Sequence, residues 1–516
     1  MSTTRRLLSG SLASWARILV TMVTQLALVP IYLAHWTVET YGIWITVQAI
    51  TLVITTLDKG HVDYLGYEFL KLGSHRKDDI RRRLWSGIDV LLLVGVAELT
   101  LLALVLFSFP VVEQVNYHHA IQPELVNQTK WVLLISCSGV LFLGNSTGLF
   151  FRALSVYGYF PRMCWWDLLN AIVSTLATVV AVLLGGNLLT VGIVFTISQL
   201  CVVLIEYIDI RHLLKKHGLA IQKADLRYGF ANYVTSLTLA GRYFLESFRQ
   251  QGIRLVLAPL VGVAGLAAFS TMRTVSNVAL QGLSTLVNPL MPEIMRFVAL
   301  REQKKMEAAF STIWFVVVAL LAPGIVGLQF VVKPLFANWT THKIVFNPLL
   351  FALLSLSILV YAIAQPAMAI LIGNNLLKAQ LRIFGAVAGM VLVSMVALVP
   401  FVGVVGAGYA LLSGELMLAL LAQKQAQNWL ETNGLAWPRK EFTRASVSVL
   451  IAAIGMIGMV LIPAGKDLIT ILTFVALLVN IRLYIRQLSD VAIHKINAVL
   501  MRFPSIQKVY SMVLTK

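Results

Sequence analysis

Between Asn347 and Ile372 the chain reads NPLLFALLSLSILVYAIAQPAMAILI, a stretch without one charged side chain. An α-helix of that length rises roughly 39 Å at 1.5 Å per residue, enough to cross a hydrocarbon core of about 30 Å with some tilt. Runs of the same kind recur on both sides of it. They predict spans at 12–34, 41–57, 84–110, 130–151, 165–185, 188–206, 229–258, 263–289, 308–332, 347–372, 383–401, 404–422, 445–463 and 468–487. The composition agrees: 58% of the 516 residues are hydrophobic, 12% are charged and mean hydropathy is +0.82. A soluble domain carries about 25% charged residues to make its polar surface, so this chain cannot be one. Membrane β-barrels show short alternating segments, which are absent. The fold class is all-α polytopic membrane protein, with about fourteen transmembrane helices.

The net charge of +18 would suit a nucleic-acid binder if it were clustered on one face. With Lys130, Arg482 and Arg486 at the ends of predicted spans counted with the adjoining loop or tail, 32 of the 41 Lys and Arg fall on one side, four on the other (Lys130, Lys333, Lys343, Lys466) and five within spans. That asymmetry is the positive-inside rule. It predicts both termini cytoplasmic, contact with anionic membrane lipids and no nucleic-acid partner. The first apolar stretch contains Arg17, Thr21, Thr24 and Gln25 and has no small-residue cleavage site, so it is expected to stay as a helix. Cys137, Cys164 and Cys201 lack paired spacing and predict neither a disulfide nor a metal site.

Loops are short, with 111–129 the longest outward one and 58–83, 207–228 and 423–444 the longest inward ones. None has room for a catalytic or nucleotide-binding domain. No G-x-x-x-x-G-K-[ST] occurs, since Gly465–Lys466 is followed by Asp467. His118 and His119 in the outward loop read as a solvated pair. A weak internal repeat links ALVPIYLAHWTVETYGIWITVQAI (27–50) with LVLAPLVGVAGLAAFSTMRTVSNV (255–278). Each copy has a Pro ending one helix (Pro30, Pro259) and an aromatic ten or eleven residues on (Tyr41, Phe269). An offset of six helices keeps both copies in one orientation, as in transporters built from parallel repeats. The expected layout is a six-helix lobe at 1–222, a second at 223–430, two extra helices in 431–487 and a basic amphipathic tail at 488–516, with a ligand cleft between the lobes.

The same segments carry a resemblance. VPIYLAHWTVETYGIW with LDKG (57–60), LVGVAGLAAFSTMRTVSNVALQGLSTLVNPLMPE (260–293) and GVVGAGYALLSGE (403–415) resemble the multidrug/oligosaccharidyl-lipid/polysaccharide exporter superfamily. Within it they are most similar to the Wzx-type polysaccharide transporters, the flippases of lipid-linked oligosaccharide and O-antigen units. The resemblance implies alternating access, a substrate of undecaprenyl-pyrophosphate carrying a short glycan, and work beside other polysaccharide-assembly membrane proteins.

The polar residues inside the spans point to the site. An arginine at mid-helix costs about 2.5–3.5 kcal/mol in lipid, so deep arginines should line a wet cavity. Thr235, Thr238, Arg242, Glu246 and Arg249 fall on one arc of the seventh helix at 100° per residue. Ser270, Arg273, Asn277, Gln281, Ser284 and Asn288 do so on the eighth, and Ser14, Arg17, Thr21, Thr24 and Gln25 on the first. Guanidinium forks match phosphate oxygens. Arg273, Arg242, Arg249 and Arg17 are therefore the expected diphosphate ligands, with Asn277, Gln281, Asn288 and Gln25 facing the glycan. Two rival readings stand beside this one: Arg17, close to its helix start, can snorkel to the surface, and Arg242 and Glu246, at i and i+4, can form an ion pair. Glu246, Glu98 and Glu415 are the deep carboxylates available to couple H+ or Na+, the only cofactors expected; Asp58, Asp89, Asp167 and Glu206 fall near predicted helix ends, where water makes charge cheap. The chain is expected to be a monomer and not an enzyme. A multidrug exporter of the same superfamily would favour acidic pockets, and a polymerase or glycosyltransferase would need catalytic residues in a sizeable loop.

Overall fold

A computed structural model describes residues 3–114, 122–287, 290–488 and 493, and among these it is helical without strands. The chain divides into two compact units, Met1–Ser270 and Thr271–Lys516.

The first unit begins with α1 (Thr3–His35), α2 (Val38–Ile54), α3 (Thr56–Leu72), α4 (Lys77–Ser108) and the single turn α5 (Val111–Gln114). It continues through α6 (Pro123–Ser138), α7 (Asn145–Ser155), α8 (Phe160–Leu183), α9 (Leu188–Lys216) and α10 (Leu226–Ser247), and takes in the first half of α11 (Ile253–Val287). Caps set several boundaries. Thr37, Asn187 and Asp225 accept hydrogen bonds from Thr40 N, Thr190 N and Tyr228 N, so each satisfies one of the backbone donors left over at a helix start. The aromatic motif that opens the repeat fastens the α1–α2 hairpin. Tyr32 stacks on Trp36 and Tyr41 with ring centroids 4.9 and 5.8 Å away, and Trp36 Nε1 donates to Gly186 O at 2.9 Å.

The second unit contains α12 (Leu290–Ala299), α13 (Gln303–Val316), α14 (Ala322–Trp339), α15 (Pro348–Gly373), α16 (Leu377–Val402), α17 (Val404–Thr432), α18 (Arg439–Leu461) and α19 (Lys466–Gln487). The charge-free stretch becomes α15, and it is the most enclosed helix of the unit, packed against α17 and α18. The last pair, α18 and α19, is seated on α14. Tyr484 donates to Ser311 O at 2.8 Å, Lys466 to Phe330 O at 2.6 Å, and Asn480 to Ser448 Oγ at 2.6 Å.

Among the described residues, twelve segments are long and apolar enough to span a membrane, and α2 with α3 forms one further bent pair. One of the twelve, Leu226–Leu283, would be roughly 87 Å long if straight. It breaks at Gly262, whose φ of 75° suits a residue without a Cβ. Counting both halves brings the total to about fourteen. The faces confirm a lipid solvent: in the most apolar window of Lys77–Ser108 only 22% of residues are buried. Leu93, Val96, Leu101 and Leu104 there are about half exposed or more.

Two expectations change. The inward loop at 58–83 is mostly helix: α3 continues the second span to Leu72, and α4 starts at Lys77. The reason is its apolar face, where Val62, Leu65 and Phe69 recur at helical spacing and are buried. Among the described residues, three spans also contain π-helical turns, at Gly139–Gly144, Phe248–Gly252 and Val317–Leu321, which a uniform 100° wheel does not represent.

Candidate functional site

In the first unit, α10 and the π turn after it carry Arg242, Glu246 and Arg249, but not as an Arg242–Glu246 pair. Glu246 accepts from Arg249 Nη2 at 2.8 Å and from Gln250 Nε2 at 2.8 Å. Arg249 and Gln250 stand three and four residues after Glu246, the spacings at which side chains on one helix meet. Arg249 is 4% exposed and Glu246 26%. Arg242 is half-buried with its guanidinium 5.1 Å from the Tyr243 ring, and its Nε has no hydrogen-bond partner among the described residues. Gln250 is an addition to the residues that the sequence singles out.

Arg17 lies on α1 and forms an ion pair at 2.8 Å with Asp167 of α8. The two side chains are 53% and 42% exposed, so the pair is solvated rather than enclosed. One turn earlier, Ser14 meets Cys164 at 3.6 Å. Gln25, two turns beyond Arg17, is half-buried. Asp167 thus acquires a role as the partner of an expected diphosphate ligand.

In the second unit, α11 carries Arg273, buried at 8% exposure, followed by half-buried Asn277 and Gln281. Their spacings of four keep them on one face, as the periodicity requires. Asn288 lies outside the described residues. Glu415 of α17 is 5% exposed.

The first unit also holds a buried polar cluster that the sequence does not announce. Asp58 of α3 is fully buried and accepts from Asn145 Nδ2 at 2.7 Å, while its other oxygen has no hydrogen-bond partner among the described residues. His61, one turn on and also fully buried, lies 3.2 Å from Ser236 Oγ and 5.2 Å, ring to ring, from Tyr233. Glu98 of α4 is half-buried with one oxygen unpartnered. Neither Asp58 nor Glu98 forms an ion pair among the described residues. Buried charges are normally paired, so two carboxylates without a cation among the described residues stand out from the rest of the unit. The expectation of a hydrated Asp58 at a helix end is therefore corrected, because the second span does not stop beside it but bends and continues. The buried repeat of Val62, Leu65 and Phe69 beyond it was the available signal. No group of three metal-binding side chains occurs among the described residues.

Beyond its first turn, the segment Leu226–Leu283 sets four arginines (Arg242, Arg249, Arg254 and Arg273) against one carboxylate, Glu246. Such an excess suits an anionic ligand.

No protein-family model matches the sequence, and no curated protein does. Solved structures do. The lipid II flippase MurJ in an inward closed conformation is 14% identical, with a TM-score of 0.63 over 91% of this chain and 97% of that one. An inward-facing multidrug resistance MATE family transporter is 12% identical, with a TM-score of 0.61 over 82% and 99%. The Vibrio cholerae MATE transporter VcmN is 14% identical, with a TM-score of 0.56 over 83% and 97%. The chain therefore has the fold of the multidrug/oligosaccharidyl-lipid/polysaccharide exporter superfamily.

Proposed function

We propose that the chain is a flippase of the secondary-transporter type, moving an undecaprenyl-pyrophosphate-linked oligosaccharide from the cytoplasmic to the periplasmic leaflet by alternating access. The observation that carries the reading is the deep excess of arginine, above all Arg249 and Arg273 at 4% and 8% exposure. A cationic drug would be repelled by such an excess of positive charge, whereas a diphosphate would be drawn to it. The likeness to a lipid II flippase supports the same substrate class, since that protein is named for a lipid-linked cargo. Arg273, Arg242, Arg249 and Arg17 take the diphosphate, and Asn277, Gln281, Asn288 and Gln25 the glycan. Of the carboxylates proposed for H+ or Na+ coupling, Glu98 gains support from its unpaired state and from Asp58; Glu246 loses it to Arg249. The protein works as a monomer in the bacterial inner membrane, with both termini cytoplasmic and the lobes at 1–222 and 223–430, beside other polysaccharide-assembly proteins.

The test is translocation in proteoliposomes of an undecaprenyl-pyrophosphate oligosaccharide, for the native protein and Arg273→Ala, with a cationic dye as competing cargo. Glycan-lipid movement that the variant lacks is the expected result. Dye movement without lipid movement would assign the protein to drug export.

A further inference from the structure

A groove of about 420 Å³ opens on the first unit where α4, α9 and the chain after α9 meet, near a basic loop. Its lining includes Trp85, Tyr207, Arg211, Leu214, Lys215 and Ile221. Gly218, at a φ of 73°, turns the chain back after α9, Leu219 enters the core, and Trp85 Nε1 donates to Leu219 O at 3.2 Å. That turn makes the far wall of the groove, and Ile221 stands on it 73% exposed.

Two features say what fits there. Arg211 and Lys215 are exposed, at i and i+4 on α9, and neither forms an ion pair or hydrogen bond among the described residues. The nearby acids are occupied elsewhere: Asp209 takes Arg162 and Trp166, Asp225 takes Arg82, and Glu206 is buried at 7% exposure. Behind the two cations, Leu200, Leu204 and Tyr207 continue the same helical stripe, exposed at 36%, 56% and 39%. From Leu200 to Arg211 the helix rises roughly 16 Å, close to half the thickness of a hydrocarbon core. An apolar track one leaflet long, ending in aromatic side chains and two free cations, has the shape and charge of one phospholipid.

We propose that this groove holds an anionic glycerophospholipid of the leaflet on the basic side, its phosphate between Arg211 and Lys215 and an acyl chain along Leu200, Leu204 and Tyr207. Trp85 and Tyr207 lie at the headgroup level, where amphipathic rings are favoured. The site is independent of the flippase reading, because it requires binding and not movement.

Native mass spectrometry of the detergent-purified full chain, titrated with phosphatidylglycerol or phosphatidylcholine, tests it. The native protein retains phosphatidylglycerol about tenfold more strongly, and Arg211→Gln/Lys215→Gln abolishes that preference. Lys343→Gln, in a loop of the second unit, keeps it. Ala220→Trp, which fills the groove without removing charge, also lowers retention, so the outcome does not hinge on the folding of one variant. Equal retention of both lipids by the native protein, or an unchanged preference in both groove variants, would overturn the proposal. Displacement of phosphatidylglycerol by equimolar polyprenyl diphosphate would overturn it as well, assigning the groove to transport substrate. A transport failure with lipid retention intact would count against the flippase alone.

Discussion

Glu246 shows how one side chain fixes the state of its neighbours. It is the only carboxylate on α10 and the π turn, and it holds Arg249 and Gln250. Removing one partner of a largely buried pair strands the other charge, at a cost of about 1–3 kcal/mol when the partner keeps some solvent. Glu246→Gln should therefore lower the thermal midpoint of the lipid-free protein in detergent. Addition of an undecaprenyl diphosphate should restore it, because a ligand bound to the folded state stabilises it by mass action. An unchanged midpoint would mean that water already satisfies Arg249. The sequence marks these residues because charge inside an apolar run is conspicuous. It does not assign their partners: a wheel at 100° per residue places both Arg242 and Arg249 beside Glu246, and it is Arg249 that pairs with it. Asp58 is the converse case, since hydropathy falls there while the helix carries on.

At the level of elements, close helix approach rests on small residues. A Cβ at Gly60 would clash with Ala240 Cα, so α3 and α10 nearly touch backbone to backbone. The LDKG segment that helps carry the family resemblance thus has a packing reason for its glycine. Gly60→Ala should force these helices apart and cost about 1–3 kcal/mol, the range for overpacking. Gly241→Ala on the same α10 meets nothing within 4 Å and should stabilise by about 0.5–1 kcal/mol from helix propensity alone. Thermal melts of the two variants should move in opposite directions; a shared direction would remove the contact argument. Helix positions were readable because hydropathy over some twenty residues averages out local detail. The breaks inside spans, at Thr55 and Gly262, depend on single residues and are lost in that average.

For the whole molecule, the alternation of loops follows from the count of crossings. Lys343 and Lys378 flank α15, so they should lie on opposite sides of the membrane. In a background with the three native cysteines replaced, Lys343→Cys should react with an impermeant maleimide added outside intact cells. Lys378→Cys should react only after lysis. Reaction of both from one side would break the topology. The orientation is an expectation that the placement of Lys and Arg supplies by itself, because charge asymmetry is a property of loops and needs no packing. The compact units are a different matter: they divide within α11 at Ser270, a point that the repeat does not mark. A repeat records where a segment was copied, and packing records which helices share a core; α10 packs on α3 and α4.

The π turns give three spans one residue more than their hydrogen-bond ladder needs. Such a wrinkle can slide along a helix by trading one carbonyl partner for the next, without the helix coming apart. Each residue it passes swings by about 100° around the axis. The wrinkle at Phe248–Gly252 sits immediately after α10, two residues past Glu246, so a slide of one or two residues carries Arg249 from one side of the rod to another. The feature that would let such a span turn about its own axis is thus a surplus amino acid rather than a glycine or a proline.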